Sequence, residues 1–171
     1  MSDLESIAGE KAEAALEKRL SGLATDIKAI QRELSARGLL RSGAMLKRVL
    51  TACSSTLESH ADEIIAQYEW AIAQALLVSQ SWVDKLSNKA SLSLEKMRAP
   101  VKAHLEQACR IADQPKLLDR LYGQYELAES AAKSKITLSL RARFAERRRG
   151  LVRRLPGAIT QLISKLFRGG A

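Results

Sequence analysis

A single stripe of leucine and isoleucine residues constrains this sequence more than any other feature. Its members are separated by four, three, four, three and four positions: Leu16, Leu20, Leu23, Ile27, Ile30 and Leu34. Such spacing places these side chains on one face of an α-helix, with charged residues elsewhere. We predict one amphipathic helix over residues 3–36, ended by Gly38, because glycine accepts the left-handed conformation that follows many helices. The Ser2-x-x-Glu5 pattern predicts a capping box at its start.

A second apolar stripe lies between residues 44 and 98, where the sequence has no proline. It comprises Leu46, Leu50, Cys53, Leu57, Ile64, Tyr68, Ile72, Ala75, Trp82 and Leu86. The phase of this stripe allows either one very long helix or two helices. The polar pairs Ser54–Ser55 and Ser87–Asn88 are the expected bends or breaks. The short connection 39–43 predicts a tight reversal after the first helix.

Two prolines predict the starts of further helices, because proline fits the first turn of a helix but not its interior. A helix from Pro100 would bury Val101, Leu105, Ala108 and Ile111. A helix after Pro115, capped by Asp113, would bury Leu117, Leu118, Leu121, Tyr125, Ala128, Ala132, Leu140 and Phe144. Gly150 and Pro156 then separate a final amphipathic piece.

The predicted fold class is all-α, because no strand-like alternation extends beyond a few residues. We expect long amphipathic helices in an antiparallel bundle or extended hairpins, with a basic C-terminal helix. The narrow stripes also allow self-association, since a long helix needs a partner of comparable length in the same chain or in another.

The surplus of positive charge is confined to one end of the chain. Residues 1–132 carry 17 basic and 18 acidic side chains, whereas residues 133–171 carry 11 basic side chains and one acidic side chain, Glu146. We therefore divide the chain into a near-neutral helical scaffold, 1–132, and an Arg-rich amphipathic segment, 133–171. This asymmetry favours an anionic partner, although a solubilising helix would have the same composition.

Arginine outnumbers lysine in the basic segment, and a guanidinium group matches a phosphate with two parallel hydrogen bonds. The leading hypothesis is binding of nucleic-acid phosphates without sequence preference. The arginines that would make these contacts are Arg141, Arg143, Arg147, Arg148, Arg149, Arg153 and Arg154.

Two alternative hypotheses remain open for the same segment. One is peripheral binding of an anionic membrane surface through the C-terminal amphipathic stretch. The other is a helical adaptor for an acidic protein partner. In both alternatives the apolar contacts would come from Ile159, Leu162, Ile163, Leu166 and Phe167.

Sequence patterns for catalysis or metal binding are weak. Cys53 and His60 lie seven positions apart, and His104 and Cys109 lie five apart. If the two pairs met, they would supply four zinc ligands. Zinc-binding pairs usually lie closer together in the sequence, however. We therefore expect ordinary buried cysteines and histidines that are exposed or hydrogen-bonded. Glu63, one turn from His60, would raise its pKa or orient it as a base. Lacking any complete catalytic pattern, the chain is predicted to be no enzyme and to need no metal or cofactor.

The N-terminus lacks a secretory signal pattern, and the apolar stretch 70–83 is too short to span a bilayer, so we expect a cytoplasmic protein with reduced thiols.

Trp82 continues the apolar stripe and is expected in the core. Trp70 points away from that stripe and is expected either at an interface or against another helix of the bundle.

Overall fold

Residues 2–154 fold into five α-helices and one short 3-10 helix. The computed structural model describes residues 2–154, and the helices are α1 (Ser2–Ala36), α2 (Gly43–Gln74), α3 (Gln80–Glu95), α4 (Arg98–Ile111) and α5 (Leu118–Arg154), with the 3-10 helix Pro115–Leu117 before α5. No strand occurs between residues 2 and 154. The predicted all-α fold of long packed helices is confirmed. The final amphipathic piece predicted after Pro156 lies outside the described residues.

Helices α1 and α2 form an antiparallel hairpin joined by a tight reversal. Gly38 adopts φ 69°, and the amide of Leu39 donates to the carbonyl oxygen of Leu34 at 2.8 Å. This is the Schellman geometry, in which a left-handed residue just after the helix satisfies its last carbonyl groups. The predicted stripe is buried against α2 at Leu16, Leu23, Ile27 and Leu34, while Leu20 and Ile30 are partly buried against the same core.

The second stripe belongs to two helices, and the expected position of the break was wrong. Residues 75–79 connect α2 to α3, whereas Ser54–Ser55 and Ser87–Asn88 are helical. Ser87 does not interrupt α3, because its hydroxyl donates to the carbonyl oxygen of Val83 at 3.1 Å. Ser79 starts α3 instead, since its hydroxyl accepts a hydrogen bond from the amide of Trp82 at 3.3 Å. Serine is favoured at this capping position.

The break lets α3 lie antiparallel to α5. Asp84, near the start of α3, pairs with Arg141, and Glu95, at its end, pairs with Lys133. A continuous helix over 43–95 could not return along α5 in this way, so tertiary packing determines where the chain turns.

Both prolines start helical segments as predicted, but Asp113 has a different role from the one expected. Pro100 lies in the first turn of α4, and Pro115 opens the 3-10 helix, whose N-cap is Gln114. Asp113 adopts φ 56° and ends α4, where the amide of Gln114 donates to the carbonyl oxygen of Cys109 at 2.9 Å. Aspartate tolerates the left-handed conformation better than most residues, so Asp113 closes one helix rather than capping the next.

Helix α5 packs against α2 and α3 along most of its length. Its buried residues extend from Leu121 to Leu140, and none of residues 141–150 is buried. The helix continues through Gly150 to Arg154, so the division predicted at Gly150 does not occur. The charge boundary at residue 133 falls within α5. The charge therefore changes along a single helix.

Glu5, predicted to form a capping box with Ser2, contacts α3, and the side chain of Ser2 lies outside the described residues. The carboxylate of Glu5 is 5% exposed and accepts a hydrogen bond from the indole Nε1 of Trp82 at 3.2 Å. The ammonium groups of Lys85 and Lys89 also contact it. Burial alone would raise the pKa of Glu5, but the hydrogen bonds from Lys89, Lys85 and Trp82 lower it below the usual value. Glu5 thus joins α1 to α3.

Candidate functional site

The arginine-rich part of α5, residues 141–154, lies beside the connection 75–79; together we call them the basic end. The two are joined by Arg147, whose guanidinium group donates to the carbonyl oxygen of Ala75. This carbonyl lies immediately after α2, where the helix dipole favours a cation. Arg147 was predicted to contact phosphate, and the structure gives at least one of its N–H groups an intramolecular acceptor.

Two further predicted arginines form ion pairs at this end. Arg141 pairs with Asp84 of α3 at 3.3 Å, and Arg143 pairs with Glu146 of α5 at 3.1 Å. All four side chains are 44–66% exposed, so water screens these pairs. Their guanidinium groups therefore keep free N–H donors that face solvent.

Arg148 and Arg149 are the predicted arginines best placed to meet an external anion. Both are exposed, and neither has an acceptor among the described residues. Arg153 and Arg154 continue α5, but their side chains lie outside what the structure describes. The same holds for every apolar residue assigned to the C-terminal stretch: Ile159, Leu162, Ile163, Leu166 and Phe167.

The connection between α2 and α3 carries two adjacent leucines in solvent, a feature that the sequence analysis missed. Leu76 is 88% exposed and Leu77 is 77% exposed. Ala71, Ile72 and Ala75, just before this pair, are buried, so the large apolar side chains become exposed only after the helix ends. We call Leu76 and Leu77 the leucine tip. An apolar pair of this exposure next to arginines is unusual for a surface loop, since exposed apolar patches generally mark binding surfaces.

The leucine tip and the arginines are close neighbours. Leu76 directly follows Ala75, which accepts the hydrogen bond from Arg147. A cleft of about 170 Å³ nearby is lined by Ala73, Arg143, Glu146 and Arg147. The basic end therefore combines exposed apolar surface with several guanidinium groups.

The cysteines and histidines do not form a metal centre within residues 2–154, where no group of three potential ligands occurs. Cys53 and Cys109 are buried free thiols. His60 of α2 meets Ser93 of α3, with Nε2 and Oγ 3.2 Å apart. Burial raises the pKa of the Cys53 thiol to about 12, so this sulfur stays protonated and is a poor nucleophile.

Glu63 acts on the pKa of His60 in the expected direction, but burial outweighs it. His60 is fully buried, and desolvation lowers its pKa to about 4, although Glu13 and Glu63 act in the opposite sense. Its Nδ1 atom is buried without a hydrogen-bond partner among the described residues. His60 is thus a neutral core histidine near pH 7, because burial disfavours its charged form.

The two tryptophans have the environments expected of bundle residues. Trp82 is buried, as predicted. Trp70 is partly buried against the same core, and the ammonium group of Lys11 lies 4.8 Å from the centre of its ring. This contact with α1 corresponds to the intramolecular alternative predicted for Trp70.

Comparison of the chain with protein-family models, curated proteins and solved structures finds no match. The helices between residues 2 and 154 include none with the length and apolar character needed to cross a bilayer.

Proposed function

We propose that this chain is a non-enzymatic helical protein that binds an anionic membrane surface through its basic end. The observation that carries the proposal is the leucine tip, Leu76 and Leu77, standing in solvent beside Arg147. Apolar side chains that enter the interface and cations that meet lipid phosphates are the two components of peripheral membrane binding.

The free energies expected for the leucine and arginine contacts support reversible attachment to a membrane. Burying a leucine contributes about 1.5–3 kcal/mol, and each arginine near an anionic leaflet contributes about 1 kcal/mol. Arg143, Arg148 and Arg149 expose N–H donors at this end. The entropy of association offsets part of this gain, so neither component suffices alone.

Nucleic acid is the second candidate partner, and one observation favours it. Arg148 and Arg149 are exposed with no acceptor in the described part of the chain, as phosphate-contacting arginines should be. Membrane binding is preferred because contact with a phosphate backbone gives an exposed pair of leucines no role.

Vesicle sedimentation tests the proposal. Wild-type protein should bind phosphatidylcholine vesicles containing phosphatidylserine and bind pure phosphatidylcholine poorly. Replacing both Leu76 and Leu77 with serine should weaken binding to the anionic vesicles by roughly tenfold to a hundredfold, since most of the apolar contribution is lost. The matched control replaces Leu39 and Leu92 with serine, because these leucines are also exposed but lie away from the basic end.

A duplex-DNA titration in the same buffers separates the two candidates. If nucleic acid is the partner, the leucine-tip variant should bind DNA like wild type. Replacing Arg148 and Arg149 with glutamine should then reduce the salt slope by about two, because two phosphate contacts are lost. Equal wild-type binding to neutral and anionic vesicles, or a leucine-tip variant that binds as well as wild type, would reject the membrane proposal.

A further inference from the structure

The outer face of α5 carries a second stripe that none of the other helices between residues 2 and 154 covers. At 100° per residue these positions share one side of the helix, and all are exposed: Leu127, Ala131, Ser134, Leu138, Ala142 and Ala145. Leu127 is 73% exposed and Leu138 is 68% exposed. The spacing of four, three, four, four and three resembles that of a helix-pairing seam.

Small residues separate the two large ones along this stripe. Ala131 and Ser134 lie between Leu127 and Leu138, and small side chains let a second helix approach closely. A leucine from one helix can then pack beside a leucine of the other. The stripe therefore has the shape of a helix-packing surface.

The charges beside the stripe indicate which helix would fit there. Asp119 and Glu126 lie on one flank of its N-terminal half, and Arg141 and Arg148 lie on the same flank of its C-terminal half. All four are exposed, and only Arg141 has an ion-pair partner among the described residues, Asp84. In an antiparallel pair related by a two-fold axis, each flank meets the same flank of the other copy.

We propose that two copies of this chain associate through antiparallel pairing of their α5 helices. A two-fold axis between residues 133 and 134 places Asp119 against the partner's Arg148 and Glu126 against the partner's Arg141 in one register. Nearly the same register brings Leu127 to the partner's Leu138. Parallel pairing would instead bring arginines against arginines and Glu126 against the partner's Glu126.

This inference does not depend on the proposed function, but it has a consequence for it. Arg147 lies about 14 residues from the axis, so the two basic ends would be roughly 40 Å apart and at opposite ends of the dimer. Such a dimer would present one basic end to each of two surfaces.

Sedimentation equilibrium of the full chain without lipid or nucleic acid tests the association. Wild type should have twice the mass of the chain in the micromolar range. Leu138→Glu should shift it to monomer, and Glu126→Arg should raise the dissociation constant at least about tenfold, because each dimer loses two ion pairs and gains repulsion between like charges. The control is Glu106→Arg, a charge reversal at an exposed position of α4. Circular dichroism should show that all variants remain folded.

Disulfide cross-linking tests the orientation. Leu127→Cys and Leu138→Cys chains should cross-link to each other when mixed and oxidised, and much less to themselves, since antiparallel pairing brings position 127 to position 138. The native Cys53 and Cys109 are buried and should not interfere. A monomeric wild type at 100 μM, or preferential cross-linking of each variant to itself, would overturn the proposal. Loss of vesicle binding with the dimer intact would reject only the proposed function.

Discussion

The indole Nε1 of Trp82 donates to the carboxylate of Glu5 at 3.2 Å, joining two residues that are 77 positions apart. Both side chains are buried, and the same carboxylate binds Lys85 and Lys89. This contact holds the start of α1 against α3.

Removing this carboxylate should destabilise the protein. Glu5→Ala leaves the Trp82 N–H buried without an acceptor, which should lower the free energy of unfolding by about 2 kcal/mol. Urea denaturation measures the change. Glu10→Ala, at an exposed position of the same helix, should change it by less than about 0.5 kcal/mol. Equal stability of the two variants would show that the Glu5 contact contributes nothing.

The buried stripe of α1 gives a second prediction. Leu23 is 1% exposed, so Leu23→Asp would bury a carboxylate among apolar side chains and should cost at least about 3 kcal/mol. Thermal melting followed by circular dichroism checks this value. Leu92→Asp on the exposed face of α3 should leave the melting temperature nearly unchanged. A wild-type melting temperature for Leu23→Asp would contradict the packing of α1 on α2.

The buried His60 predicts a loss of stability in mild acid. Its pKa is about 4 in the folded state and about 6.5 in the unfolded chain, so the unfolded state takes up the proton first. The contribution of neutral His60 to the free energy of unfolding should be fully present above pH 6.5. It should fall by about 3 kcal/mol in total as the pH approaches 4. Urea denaturation at a series of pH values measures this slope.

Two histidine substitutions test whether His60 causes this pH dependence of stability. His60→Gln should remove most of the pH dependence between pH 6.5 and 4.5. His104→Gln should remove less of it, because burial also lowers the pKa of His104 but the residue is only partly buried. The lowered pKa values of Glu5 and Glu129 affect stability at lower pH, below about 4.5. An unchanged slope in His60→Gln would exclude this histidine as the cause.

Arg147 and Arg148 are adjacent but should behave differently. Arg147→Ala frees the carbonyl group of Ala75 and should cost about 1–2 kcal/mol of stability, whereas the exposed Arg148→Ala should cost less than about 0.5 kcal/mol. Hydrogen exchange should be faster at residues 76–79 only in Arg147→Ala. Identical exchange in the two variants would show that Arg147 does not hold the connection in place.

The sequence predicted the helices correctly where residues close together in the chain determine the structure. The spacing of Leu16 to Leu34 predicted α1, and Pro100 and Pro115 predicted helix starts, because periodicity and proline geometry act over a few residues. The break at 75–79 was not predicted, since Ala75 to Val78 is apolar and contains no glycine or proline. It depends on the packing of α3 against α5, which no local pattern reports.

The candidate site was predictable only in part. Composition indicated the arginines of α5, but not that Arg147 would bind the carbonyl group of a residue 72 positions earlier. The exposure of Leu76 and Leu77 was equally hidden, because leucines in an apolar stretch suggest a core. Similarly, Ser2-x-x-Glu5 matched a local capping pattern, while tertiary packing directed Glu5 to Trp82.

The hydrogen bond from Arg147 to the carbonyl oxygen of Ala75 joins the arginines of α5 to the connection that carries the leucine tip. In the proposed function, these two groups would reach a surface together, because neither has to find it separately. Once one of them touches a surface, the other would be held at a high effective concentration of that surface. Two weak attachments would then act with the avidity of a bivalent ligand. The residence time on a surface would therefore depend on the product of the two affinities, and disabling either attachment would shorten it sharply.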